Sequence, residues 1–219
     1  MADFYAAADK ILEVEGGYQN HESDRGNYNA YDSGGNYVPY KERPGRTLRV
    51  GTNRGISAAL YSRLMGREVS ADEIKAITRQ EAVAIYKKYF WDTIRGDEIK
   101  NQRLAELIFD AKVNQTAGMK VLQKVLNLMG NSLAVDGVIG PLTLGAINKA
   151  NVARLYNAFL KARAKLYRRI AEVDPTQKEF LNGWLNRLKK FPYMKEAAQI
   201  GAAVAILGAL GLIYYLADE

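Results

Sequence analysis

Apolar residues recur at three- and four-residue spacing along most of the chain, with one long interruption near its beginning. Residues 2–15 place Phe4, Ala8, Ile11 and Glu15 on one helical face, and Gly16-Gly17 ends that helix as glycine does at helix C-termini. Residues 18–56 carry no helical period and are rich in Gly, Asn, Tyr and Asp, with Pro39 and Pro44. Within them Asn29 to Tyr40 reads as a hairpin, two Tyr-bearing strands around Asp32-Ser33-Gly34-Gly35. From Ser57 onward the period is helical and predicts helices at 57–65, 70–76, 78–90, 101–115, 117–129, 141–148, 151–172 and 177–188. In the longest of these Leu155, Phe159, Ala162, Leu166 and Ile170 form one apolar stripe. Lys161, Lys165, Arg168 and Arg169 lie off it, on the face that water solvates. The expected fold class is mainly α, with a small N-terminal β-hairpin lobe.

The C-terminal end breaks this amphipathic pattern. No residue from Ile200 to Ala217 is charged, and as a helix this run is about 27 Å long, close to the thickness of a bilayer core. The expectation is a transmembrane helix over 197–217, made only marginally apolar by Gly201, Gly208 and Gly211. Lys189, Lys190 and Lys195 precede it and only Asp218 and Glu219 follow, which reads as a tail anchor in the inner membrane. The expected domains are therefore a catalytic lobe at 1–96, a helical lobe at 97–190 and the membrane helix.

Composition narrows the chemistry. The chain of 219 residues has no cysteine and one histidine, His21, which excludes disulfides, a thiol nucleophile and thiolate metal sites. A Ser-His-Asp arrangement and multi-histidine metal sites are nearly closed off as well, so no metal and no cofactor are expected. Carboxylates are left for hydrolysis. The net charge of +7 implies an anionic partner. The basic residues are dispersed and no reading motif accompanies them, so nucleic acid is not expected to be that partner.

Glu15 is the informative carboxylate. It lies on the apolar stripe of its helix and at the helix's C-terminal end, and both placements disfavour its ionised form. A general acid that stays protonated near neutral pH needs such surroundings. An exposed last-turn glutamate of no consequence has the same spacing, so periodicity alone leaves both readings open.

The neighbouring motifs extend the picture. Glu15-Gly16-Gly17-Tyr18 and Gly51-Thr52-Asn53-Arg54-Gly55-Ile56-Ser57 resemble the E-G-G-Y and G-G-x-T-x-x-G-I signatures of glycoside hydrolase family 108. Tyr89-Phe90-Trp91-Asp92 matches that family's aromatic segment, and Phe109-Asp110-Ala111-Lys112-Val113-Asn114 its F-D-x-x-V-N helix. Val135-Asp136-Gly137-Val138-Ile139-Gly140-Pro141-Leu142-Thr143 looks like the D-G-x-x-G-P-x-T turn of the peptidoglycan-binding half usually joined to it. Phe180 to Arg187 matches its closing helix. The resemblance runs in order over residues 4–190 and implies a lysozyme-like fold.

It also implies N-acetylmuramidase activity on bacterial peptidoglycan, cleaving the β-1,4 bond between N-acetylmuramic acid and N-acetylglucosamine, with Glu15 as the general acid. For the second carboxylate, aligning Asn20 to Asn27 with the family's N-D-P-x-D-P-G-G places Asp24 there, nine residues after Glu15. Asp32-Ser33-Gly34-Gly35 keeps both glycines and is the competing alignment. About twenty extra residues between Gly26 and Thr52 separate this chain from the family pattern. Thr52 matches the motif threonine and orients water or a sugar hydroxyl, or else holds a Gly-rich turn. Tyr18, Asp32, Asp110 and Asn114 are the expected substrate-binding residues; Asp110 and Asn114 share a helix face at i, i+4 and either line the cleft or bond nearby backbone. The setting implied is cell lysis by a phage or prophage endolysin. Two other readings stay open: a lytic transglycosylase, and a non-catalytic module that only holds peptidoglycan.

Overall fold

In the computed structural model, residues 1–12 and 17–195 are described. They form two compact units, Tyr5–Tyr89 and Met1–Phe4 with the chain from Phe90 onward. The first helix, α1 (Phe4–Leu12), buries Phe4, Ala8 and Ile11 as its apolar period requires.

From Gly17 to Gly51 the first unit contains little regular structure. A two-stranded antiparallel sheet follows, β1 (Thr52–Asn53) and β2 (Ile56–Ser57), with Thr52 opposite Ser57 and Asn53 opposite Ile56. Its turn residues Arg54 and Gly55 both have positive φ, 51° and 73°, which is the type I′ geometry that suits the strand twist. Arg54 donates from Nε to the Ile77 carbonyl at 3.1 Å, a bond that offsets part of the strain of a left-handed arginine. Three helices complete the unit: α2 (Ala58–Met65), α3 (Ala71–Ala76) and α4 (Arg79–Tyr86). Each starts on a hydroxyl cap, Ser57, Ser70 and Thr78, and the last two are capping boxes closed by Glu73 and Glu81.

The irregular stretch is held by buried amides where a sheet would use a ladder. Asn29, fully buried, donates to the Leu48 and Val69 carbonyls at 3.2 and 3.0 Å and accepts from the Val69 N–H at 2.9 Å. Asn53 donates to the Ile74 and Lys75 carbonyls at 3.1 and 3.0 Å. Ser62 accepts from the Ala30 N–H at 2.8 Å.

The second unit begins with the N-terminal residues. Phe4 packs on Trp91 and Phe109, whose own rings meet edge to face with centroids 5.3 Å apart. Trp91 is fully buried and donates from Nε1 to Asp97 at 2.7 Å. A Cβ at Gly96 would lie 2.2 Å from that indole, so glycine is required there for space. Five helices follow: α5 (Gln102–Asn114), α6 (Gly118–Leu128), α7 (Pro141–Lys149), α8 (Val152–Val173) and α9 (Lys178–Lys189). α8 packs on α5, α6 and α9. α5 is buried along its whole middle, Leu104 through Ala111, including two carboxylates. One of them, Asp110, accepts from Arg163 Nη2 at 2.6 Å and from Arg187 Nε at 2.7 Å. Arg163 is fully buried and also donates to Gln115 Oε1 at 2.6 Å.

The expected fold class needs two corrections. The chain is mainly helical, but its sheet lies at 52–57 and not at 29–40, where the expected hairpin is reduced to a single bridge between Tyr31 and Tyr37. Around that bridge the Val38 N–H donates to the Ala30 carbonyl at 2.8 Å and the Asp32 N–H to the Asn36 carbonyl at 3.0 Å, whereas the Asn29 and Ala30 N–H groups donate to the Leu48 carbonyl and Ser62 Oγ, so the pairing extends no further. The expected C-terminal transmembrane helix is not supported either. No helix among the described residues is long and apolar enough to cross a membrane, and 197–217 lie outside them. Inner-membrane tail-anchoring and a membrane partner go with it.

Two outcomes follow for stability. Asp110→Asn leaves two guanidinium groups short of their counter-charge in a buried site and is expected to cost about 3 kcal/mol, read as a lowered denaturation midpoint. Glu73 has its carboxyl lowered to about 2, first by its bond from Arg67 and then by the Ser70 N–H. A lowered folded-state value means the stabilisation is complete above the usual glutamate range and lost as pH falls toward about 2. Thermal melts of wild type and Glu73→Gln are expected to differ at pH 7, by no more than about 1 kcal/mol because the pair is exposed, and to converge at pH 2.

Candidate active site

Asp24, from the irregular stretch, and Thr52, from β1, are joined by hydrogen bonds through Gln19 and Asn27, and Tyr18 lies beside them. Gln19 pairs with Thr52 as an antiparallel bridge, its N–H donating to the Thr52 carbonyl at 2.9 Å and the Thr52 N–H donating back at 2.8 Å. This adds one residue of a third strand beside β1. The approach is close: at Gly51, with φ +91°, a Cβ would lie 2.6 Å from the Gln19 carbonyl and 2.7 Å from the Tyr18 ring. The Tyr18 hydroxyl donates to the Val50 carbonyl at 3.1 Å, and Lys75 Nζ lies 5.3 Å from its ring centroid.

Asp24 caps a short 3₁₀ turn, Arg25–Asn27, its Oδ1 accepting from the Gly26 N–H at 2.8 Å. Its other oxygen accepts from Gln19 Nε2 at 3.3 Å. Asn27, fully buried, accepts at Oδ1 from Thr52 Oγ1 at 2.7 Å and from Gln19 Nε2 at 3.1 Å. The half-buried Asp24 and Thr52 therefore share one network through two amides.

Asp32 sits apart from that network. Its Oδ1 accepts from the backbone N–H groups of Gly34 and Asn36 at 3.0 and 2.9 Å, closing its own turn. The Asn36 N–H is the main reason its carboxyl lies below the usual aspartate range. In the other unit, Asp110 is buried between two arginines, and Asn114 donates from Nδ2 to the Asp110 carbonyl at 2.9 Å. Glu15 lies outside the described residues. Among those described, no group of three or more His, Cys, Asp or Glu is placed to hold a metal ion.

Two residues of the network, Gln19 and Asn27, carry no weight in the sequence reading. Gln19 is the residue next to the motif tyrosine, and Asn27 lies three residues after Asp24, the spacing at which a short turn bonds its N–H back to the Asp24 carbonyl. The Asp136 turn is tied down in a similar way. Asp136 accepts from Gln123 Nε2 at 2.7 Å and from the Val138 N–H at 2.8 Å, and Gln123 accepts from the Gly137 N–H at 2.7 Å. The turn leaves Val138 and Leu142 exposed.

Comparison with known proteins places these features. Residues 8–116 match the model of Glycosyl hydrolase 108, and residues 117–189 match that of a Predicted Peptidoglycan domain. The chain is similar in structure to SagA of Brucella abortus, with a TM-score of 0.65 and 28% identity over 86% of this chain and 90% of that one. No match was found among curated proteins. The E-G-G-Y and G-T-N-R-G-I segments fall inside the first match and the Asp136 turn inside the second, in the order the family requires. The chain thus belongs to glycoside hydrolase family 108, a glycoside hydrolase acting on peptidoglycan with a peptidoglycan-binding half.

Proposed function

We propose that the chain is an N-acetylmuramidase that cleaves the β-1,4 bond between N-acetylmuramic acid and N-acetylglucosamine. The observation that carries this reading is the network joining Asp24 to Thr52 immediately after the E-G-G-Y motif. Glu15 donates its proton to the glycosidic oxygen as the bond to C1 breaks and positive charge develops on the sugar ring. The Asp24 carboxylate stabilises that charge or takes the proton of the attacking water. The hydroxide ends on C1 of N-acetylmuramic acid as a reducing end, and Thr52 orients the water. Asp24 is preferred over Asp32 because it shares a network with Thr52, whereas the carboxylate of Asp32 closes its own turn apart from that network. Tyr18, exposed and held by Val50, is the sugar-facing aromatic. Asp110 and Asn114 are given no substrate role, since both oxygens of Asp110 go to arginines and Asn114 bonds Asp110. The resemblance to phage hydrolases makes cell lysis by an endolysin the setting of this activity, and the net charge of +7 attracts the enzyme to an acidic wall.

Mass spectrometry of soluble fragments from purified peptidoglycan tests the reading. The full chain is expected to release fragments with reducing N-acetylmuramic acid ends, and Glu15→Gln and Asp24→Asn to release them at least about 100-fold more slowly. Anhydro ends from the wild type would replace the muramidase with a transglycosylase. Binding without any fragments would replace it with a holding module.

A further inference from the structure

The polarity of the Asp24 network is fixed by the backbone of a single residue, His21. Its carbonyl oxygen lies 2.9 Å from Asn27 Nδ2 and is able only to accept, so the amide nitrogen of Asn27 must face it. Asn27 Oδ1 is thereby turned toward Thr52 Oγ1, 2.7 Å away, and the threonine hydroxyl must donate. The N–H of His21 lies 3.0 Å from Gln19 Oε1 and is able only to donate, so the oxygen of Gln19 must face it. Gln19 Nε2 is thereby turned toward Asn27 Oδ1 at 3.1 Å and Asp24 Oδ2 at 3.3 Å. Asn27 Nδ2 in turn donates to Gln19 Oε1 at 3.0 Å, which closes the two amides into a reciprocal pair. Flipping either amide would set oxygen against oxygen or N–H against N–H.

We infer that Gln19 and Asn27 are positioning residues that orient the second carboxylate and the motif threonine for reaction. This rests on the reading of Asp24 and Thr52 given above. Two donors converge on the Asp24 carboxylate, the Gly26 N–H on one oxygen and Gln19 on the other, which fixes its plane. Thr52 has spent its hydrogen on Asn27 and presents only lone pairs to anything else it meets. A water touching Thr52 must donate to it, and one lone pair of that water is left aimed elsewhere, as a nucleophile needs.

Gln19 is exposed, so Gln19→Glu puts no charge into the core and keeps an oxygen for the His21 N–H. It places a second carboxylate against Asp24, which disfavours ionisation of the pair. Gln19→Leu removes every amide bond with little change in volume. Rates on soluble peptidoglycan fragments are to be measured across pH for both variants of the full chain, with Asp24→Asn and thermal melts alongside. Gln19→Leu is expected to lower kcat at least about 10-fold with KM changed less than about 2-fold, as misplacement without lost binding does. Gln19→Glu is expected to fold as the wild type and to move the acidic limb of the kcat profile up by about 1 pH unit, a shift that a merely structural role would not produce. An inactive Asp24→Asn together with Gln19 variants of wild-type kcat and acidic limb would overturn the positioning role alone. An active Asp24→Asn would remove both the Asp24 assignment and the role built on it.

Discussion

A backbone that leaves helix and sheet behind must still find partners for its N–H and C=O groups, and this constraint shapes the first unit. Between Gly17 and Val50 only isolated bridges stand in for a ladder. The deficit is met by amide side chains, which carry a donor and an acceptor on one planar group and so imitate a peptide unit. Asn29 and Asn53 tie the loop to the backbone before α3 and at its C-terminal end. Gln19 and Asn27 tie it to itself. The candidate site uses the same amides: Gln19 and Asn27, which hold the loop, also bond the Asp24 carboxylate and the Thr52 hydroxyl.

The second unit solves a different problem with charge. α5 is buried around most of its circumference, yet it carries Asp110, whose oxygens meet one arginine from α8 and one from α9. A buried ion pair of this kind adds little stability over an apolar core, but each missing partner is costly. Its geometry ties α5 to both α8 and α9 at one position. The aromatic contacts of Trp91 with Phe4 and Phe109 do the same with shape, and Gly96 is the vacancy that the indole fills.

Helices were legible in the sequence because their signals are local. Apolar spacing placed α2 to α9 within a few residues of where they lie, and a hydroxyl residue stands at the start of α2, α3 and α4. The irregular stretch was not legible in this way. Alternating tyrosines at 28–40 suggest paired strands, but the pairing is limited to the residues around Tyr31 and Tyr37, because the Asn29 and Ala30 N–H groups are taken by Leu48 and Ser62, far away in the chain. The real turn, Arg54-Gly55, contains a left-handed arginine whose compensating bond goes to Ile77. Asp24 is proposed from a motif spacing. Gln19 and Asn27 were not legible because a polar residue in a loop has the same sequence signal whether it is solvated or holds a network. Arg163 was hidden differently, as one more basic residue on a helix whose other charges face water.

Burying Asp110 and Arg163 has a thermal side. What these groups give up on entering the core is hydration, and the hydration of charge weakens as water is warmed, because it orders the surrounding solvent. The cluster is thus a smaller burden in a warm cell than in a cold one, and α5, α8 and α9 are joined by an interaction that heating penalises least.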